Sequence, residues 1–299
     1  MRYSASERCS RAETKSNQFD IKPCSCYRKT QIVSCCPQRW CPERAIRFFL
    51  KSKRNVADWP QETTMEAFKR AWTLEGEPFW SAVFFMHQDK MQVKNPKVAI
   101  VNLEKIITAT FKLANAKGFQ AMSLRDLSRE TGISMGGLYA YIGSKNDLAS
   151  VIEGVLRTYI DRVIGELVDE DLDPVDRLQA IICGEIFMIQ IMNPWYYFCY
   201  MELKGLDKEQ QQQAMDLELR FDSLLVDAIQ SGISKGQFVC EKPTLLAASV
   251  TAQLQQWHLK HWKFKLHEVS MEEYAQHILE SMLRCLQYEG AARSIGRRK

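Results

Sequence analysis

No stretch of the sequence is apolar for the roughly eighteen residues that a membrane-spanning helix requires. The first residues, MRYSASERCSRAETKSNQFD, lack the apolar core of a secretion signal. A cytoplasmic chain with no membrane partner is therefore expected, with its ten cysteines reduced. Catalytic vocabulary is missing as well. There is no phosphate loop, no paired nucleophile and base, and no His-Glu-x-x-His among the five histidines. Neither an enzyme nor a cofactor is expected. Strand-like patterning is absent too, so the fold class read from the sequence is all-α.

Charge is present but unevenly placed. Residues 1–97 hold 18 basic against 10 acidic side chains, whereas residues 98–299 hold 22 against 26. The last residues add Arg293, Arg297, Arg298 and Lys299. Such a split suits a chain with one end against a polyanion and an acidic body away from it.

The most informative stretch is SLRDLSRETGISMGGLYAYIGSKNDL, residues 123–148. Ser123 with Asp126 three residues on begins a helix like a capping box, and Leu124, Leu127 and Thr131 share one face. Gly132 can end that helix in the left-handed region, Ile133 is an apolar plug, and Ser134 can cap a second, short helix. Leu138 faces inward, with Gly136, Tyr139 and Ala140 outward. Two glycines on so short a helix cost about 1 kcal/mol each against alanine, a cost that a close approach to a DNA groove would explain.

This run resembles the DNA-binding segment of the tetracycline-repressor (TetR) family. The likeness is carried by Ser123, Leu124, Arg125, Asp126 and Leu127, then Gly132-Ile133-Ser134, Leu138, Tyr139, Tyr141, Ser144, Lys145 and Leu148. The Tyr-x-Tyr-x-x-Ser-Lys-x-x-Leu tail is its most specific part. Ser128 and Thr131 stand where the family usually has alanine, Ile142 where it has phenylalanine, and Ala140 where a histidine or arginine is frequent.

The remaining chain is read in order. Residues 1–42 carry Cys9, Cys24, Cys26, Cys35, Cys36 and Cys41 among prolines. A zinc site is one reading, but the spacing lacks paired Cys-x-x-Cys knuckles, so no metal ligands are assigned. A thiol beside Arg28, Lys29 or Arg39 is another. Residues 43–56, 62–74 and 77–87 have helical patterning without a recognised motif. Residues 91–101 form an arm with Lys94 and Lys97, followed by a helix over 102–117 capped by Asn102. Ser144 caps a long helix to about 168. Further helices are expected over 174–191, from Asn193-Pro194, from Asp207 to about 235, over 243–263 and over 271–288.

The domains are thus an extension over 1–90, a three-helix DNA-binding domain over 91–150, a helical ligand-binding and dimerisation domain over 151–290, and a basic tail over 291–299. Within the third, Trp195, Tyr196 and Phe198 with Met188, Met192, Phe221 and Trp257 are the candidate wall of a pocket for a small apolar or aromatic effector. His258 and His261 read as a solvated or core pair.

The resemblance implies a homodimeric regulator on a palindromic operator in double-stranded DNA. Lys94, Lys97, Arg125, Tyr141 and Lys145 would face phosphates, with Ser123 and Ser144 at helix starts, and Ser134, Met135, Gly136 and Tyr139 would face bases or backbone. Leu245, Leu246, Ala248, Ser249, Ala252 and Leu254, with Ile278, Met282 and Leu286, would meet a second subunit. The rival is a thiol- or metal-responsive interaction protein that works through its cysteine-rich start.

Overall fold

The computed structural model describes residues 59–93, 95–168, 172–202, 205 and 208–290, and for 164–168 the backbone alone. Twelve α-helices, one short 3-10 helix (Gln88–Lys90) and no strand occur among them. The cysteine cluster of residues 1–42, the helix expected over 43–56, Lys94 and the basic tail lie outside the described residues.

Two helices precede the DNA-binding segment. Helix α1, Met65–Ala71, starts at Thr64, whose hydroxyl accepts from Ala67 N at 3.2 Å. Helix α2 is Gly76–His87. They are built into the common core rather than appended to it. Phe68, Ala82 and Val83 have no exposed surface, and Phe79 and Phe84 have almost none. The Phe79 ring lies 5.3 Å from Tyr159 and 5.7 Å from Trp195. Trp59 stands edge-on to Phe68 and Phe187, and Gly184 leaves room for it: a Cβ there would lie 3.2 Å from the indole.

Helix α3 runs Pro96–Lys117, six residues longer than expected. Asn95 caps it through Lys97 N, and Pro96 supplies the preset φ of a first turn. The expected cap, Asn102, sits mid-helix and donates its amide to the Tyr141 hydroxyl at 2.9 Å. Helices α4 (Leu124–Thr131) and α5 (Met135–Tyr139) follow, then α6 (Lys145–Val168).

Helix α7, Pro174–Ile191, is the axis of the C-terminal body and is buried for most of its length. Around it pack α1, α6, α8 (Asn193–Glu202), α9 (Lys208–Ser234), α10 (Pro243–Leu259) and α12 (Met271–Cys285). The helix expected over 243–263 breaks at Lys260, and His261–Leu266 forms a separate α11. The last helix stops at Cys285, with Gln287 at φ 54°.

The nine residues expected to meet a second subunit divide. Leu254, Ile278, Met282 and Leu286 are buried within the chain, because α10 and α12 turn those faces toward α7 and each other. Leu246 is half-buried, while Leu245, Ala248, Ser249 and Ala252 remain exposed on α10.

Candidate functional site

The turn between α4 and α5 is held by short, local bonds. Ser123 and Asp126 close a full capping box: the Ser123 hydroxyl accepts from Asp126 N at 3.1 Å, and Ser123 N donates to Asp126 Oδ2 at 2.9 Å. Lys117 and Arg129 converge on the same carboxylate, at 2.6 and 2.7 Å. The Lys117 bond and the serine bonds hold Asp126 well below the usual carboxylate range. Asp126 therefore ties α3 to the start of α4, a role the sequence reading left out. Gly132 closes α4 at φ 71°.

Two of the four departures from the family pattern, Ser128 and Thr131, explain themselves here. The Ser128 hydroxyl donates to Ile133 O at 2.6 Å, and Thr131 Oγ1 accepts from Ile133 N at 3.2 Å while donating to Leu127 O. Both polar side chains satisfy backbone groups that a tight turn leaves open.

On α5, Ser134 caps through Gly137 N at 3.2 Å. The two glycines differ. A Cβ on Gly137 would lie 2.9 Å from Ile133 Cγ2, so packing requires that glycine. A Cβ on Gly136 would meet nothing within 4 Å. Among the described residues, nothing requires the bareness of Gly136. Tyr139, half exposed, follows Gly136 by about one helical turn, and Ser134 is exposed at the start of the helix. Ser123, Arg125 and Lys97 are also exposed, and Met135 and Ser144 are partly covered.

Two expected phosphate-facing groups are engaged inside the fold. Tyr141 is buried, with Asn102 on its hydroxyl. Lys145 donates to Gln120 O at 2.9 Å and lies 4.8 Å over the Phe119 ring. Burial lowers its pKa. Both positions brace the reader: Tyr141 fixes α3 to the end of α5, and Lys145 fixes α6 to the loop before α4.

The second feature is a cavity of about 130 Å³ between α6, α7, α8, α9 and α10. Of the seven residues expected on a pocket wall, Tyr196 and Phe221 line it. Met188 and Met192 are in the packed core. Trp195 and Phe198 instead meet Phe111 and Phe119 of the DNA-binding domain edge to face, at 5.2 and 5.0 Å. Trp257 packs on Phe264 and Tyr274, its indole N–H donating to Gln190. Aromatic spacing on one helix could not distinguish these faces.

Of the polar groups in the cavity, Tyr196 is an expected wall residue and His258 belongs to the expected solvated or core pair, whereas Glu185 is not among the expected site residues. Glu185, on an otherwise apolar helix, is buried and accepts from the Tyr196 hydroxyl at 3.1 Å. Burial pushes its carboxyl up to about 7. His258 is buried with no hydrogen-bond partner on either ring nitrogen among the described residues, and burial pulls it down to about 4. A lone glutamate inside IICGEIFMIQI was the one available signal.

These shifts oppose each other in stability. Glu185 is raised from 4.5, so the stability it contributes is full below pH 4.5 and lost as pH rises through about 7. His258 is lowered from 6.5, so its contribution is full above pH 6.5 and lost as pH falls through about 4. Each is worth about 3 kcal/mol at most. Between pH 4.5 and 6.5 the two should nearly cancel in the native protein. Chemical denaturation across pH should show stability falling with rising pH in His258→Phe, and rising in Glu185→Gln. Parallel profiles for both variants would contradict the assignment.

The model for bacterial regulatory proteins of the tetR family matches residues 106–152, and that for the tetracyclin repressor-like C-terminal domain matches 171–286. The chain belongs to the tetracycline-repressor family. It is a DNA-binding transcriptional regulator with a helix-turn-helix. Helices α1 and α2 lie outside both matched regions.

Among relatives, it is 25% identical over 188 residues to the HTH-type transcriptional regulator HbdR of Aromatoleum sp. (strain CIB), covering 62% of this chain and 81% of that one. It is 26% identical over 126 residues to the HTH-type transcriptional repressor KstR2 of Rhodococcus jostii (strain RHA1), covering 41% and 60%. Two solved structures share the fold, the first of them a TetR family transcriptional regulator. PfmR of Thermus thermophilus aligns with TM-score 0.53 and 22% identity over 60% of this chain and 98% of its own. AibR, solved with isovaleryl coenzyme A and operator DNA, aligns with TM-score 0.53 and 17% identity over 60% and 97%. Among the described residues of this chain, no helix is long and apolar enough to cross a membrane, and no group of three candidate ligands could hold a metal.

Proposed function

We propose that this regulator is a repressor that binds a palindromic operator as a homodimer and releases it when a small effector enters the cavity. One observation carries the reading: α8 belongs to both sites. Tyr196, Cys199 and Tyr200 face the cavity, and Glu202, the last residue of the same helix, accepts from Phe119 N at 3.1 Å. That amide lies four residues before the cap of α4. The Gln120 amide also bonds Gly205 O, just past α8. An effector that displaces α8 therefore displaces the support of the DNA reader. Release follows if the effector binds one spacing of the two readers better than the other.

On DNA, Lys97, Ser123 and Arg125 would meet phosphates, while Ser134, Met135, Gly136 and Tyr139 would enter the groove. Tyr141, Ser144 and Lys145 would hold them in place. On α10 the exposed Ala248, Ser249 and Ala252 are small enough for a second copy to approach closely, with the large exposed Leu245 beside them, which would set the readers about 34 Å apart. The AibR complex and the repressor KstR2 support this reading by family likeness. No observation on the described residues favours a thiol- or metal-responsive interaction protein.

Selection of bound genomic fragments by the full-length protein tests it. A two-fold symmetric site bound by a dimer is expected. A monomer on asymmetric sites, or no enrichment, overturns the reading. The link through α8 has its own test. Glu202→Ala should leave operator affinity within about threefold but cut effector-driven release by about tenfold, within the usual range of coupling energies. Unchanged release would place the coupling elsewhere.

A further inference from the structure

We infer that the effector cavity takes a small organic cation, with an apolar body of about one ring and a protonated nitrogen that pairs with the Glu185 carboxylate. The inference rests on the regulator reading for the biological role of the site, but its chemistry stands on the cavity itself.

The wall is built for positive charge. Its charged side chains among the described residues are Glu185 on the inner side and Glu218 at the exposed rim, and no described lysine or arginine lines it. Buried carboxylates are ordinarily paired with a cation. Glu185 has none: its hydrogen-bond partner among the described residues is the Tyr196 hydroxyl, which favours the ionised carboxylate but cannot neutralise it. His258 does not serve as the counter-ion, since burial keeps it neutral. Of its two unpartnered ring nitrogens, the one without a proton can accept from a protonated amine. The rings of Tyr196, Tyr200 and Phe221 give a cation aromatic faces. An anionic head would meet two glutamates and no compensating charge. The volume suits about one benzene-sized group, and the exposed Tyr200, Met215 and Glu218 leave the rim open for a longer substituent.

The pairing makes binding depend on pH. The groups around Glu185 are Tyr196 and Cys199 from α8, Glu218 from α9 and His258 from α10, while α6 presents Leu156 and Ile160, with Glu153 a turn away. Helices α1 and α12 pack on α7 elsewhere, where Gly184 meets Phe68 and Cys183 lies near Glu272. A cation needs the ionised Glu185, whose carboxyl is raised to about 7 by burial. Affinity therefore rises with pH through neutrality.

The test is calorimetric titration of the full-length protein with benzylammonium, benzyl alcohol and benzoate, which share a ring and differ in charge. At pH 8 benzylammonium should bind at least about tenfold more tightly than benzyl alcohol, with benzoate weakest. Between pH 8 and 5.5 the benzylammonium affinity should fall about 30-fold as the carboxyl protonates, and that of benzyl alcohol should change little. Glu185→Gln should lose the preference for the cation and keep benzyl alcohol affinity, and the latter reports that the cavity is intact. Glu218→Gln should lose about twofold to threefold, as an exposed charge does.

Benzoate or benzyl alcohol binding as tightly as the cation, a cation preference that survives Glu185→Gln, or no binding of any of the three overturns the inference. Operator release is measured separately. A cation that binds as expected but leaves operator binding unchanged upholds the chemistry of the cavity and counts against the regulator reading instead.

Discussion

A chain that begins at Met91 should be far less stable than the whole protein, even though it keeps the complete DNA-binding and C-terminal segments. Without α1 and α2, the surfaces that Phe68, Phe79, Val83 and Phe84 cover on α3, α6 and α7 open to water. Tyr159 and Phe187 lose the ring contacts they make with these helices and with Trp59, and Trp195 loses Phe79 and Trp80 while keeping Phe111. Each lost core ring is comparable to the Phe→Ala range of about 3–5 kcal/mol, against a total stability of roughly 5–15 kcal/mol. Urea unfolding should show the midpoint collapsing or the cooperative transition disappearing. The single change Phe79→Ala should reproduce about 3–5 kcal/mol of that loss. A truncated protein with an unchanged midpoint would mean that α1 and α2 do not stabilise the fold that contains them.

The second large effect separates DNA binding from folding at two adjacent glycines. Gly136→Glu adds a side chain where the protein leaves open space, in the first turn of α5 where an acidic group suits the helix end. Stability should hold or rise by about 0.5–1 kcal/mol, since glycine is the poorer helix former. Operator affinity should fall about 100-fold at fixed ionic strength, because the carboxylate projects from the face proposed to enter the groove. Gly137→Ala should do the reverse. Its Cβ meets Ile133 at 2.9 Å, so the cost of about 1–3 kcal/mol falls on the turn itself, with operator binding reduced only as far as α5 tilts. Thermal unfolding beside operator titration distinguishes the two. Full operator affinity in Gly136→Glu would remove α5 from the reading face.

The helix-turn-helix was legible because everything that defines it is local. The Ser123–Asp126 box, the left-handed Gly132 and the Ser134 cap each act within three or four residues of chain. The start of α3 was equally local, in Asn95-Pro96, but the later Asn102 competed with it as a cap. Ser128 and Thr131 read as mere departures from a pattern until their bonds to Ile133 and Leu127 could be seen. Lys145 and Tyr141 show the limit from the other side. Their spacing marks them as belonging to the reader, but only the packed structure turns one toward Gln120 O and the other toward Asn102.

By itself, the sequence determined the helical class, the reading head and the family, because helical period and capping are properties of neighbouring residues. Tertiary structure decided which surfaces those helices share. Period separates the buried side of α7 or α8 from the exposed side, but not a face that meets close-packed rings from one that meets an open cavity. Trp195 and Phe198 fill their space, whereas Tyr196 and Phe221 border a gap. Glu185 and His258, on helices more than seventy residues apart, acquire their chemistry only where α7 and α10 bring them to the same cavity.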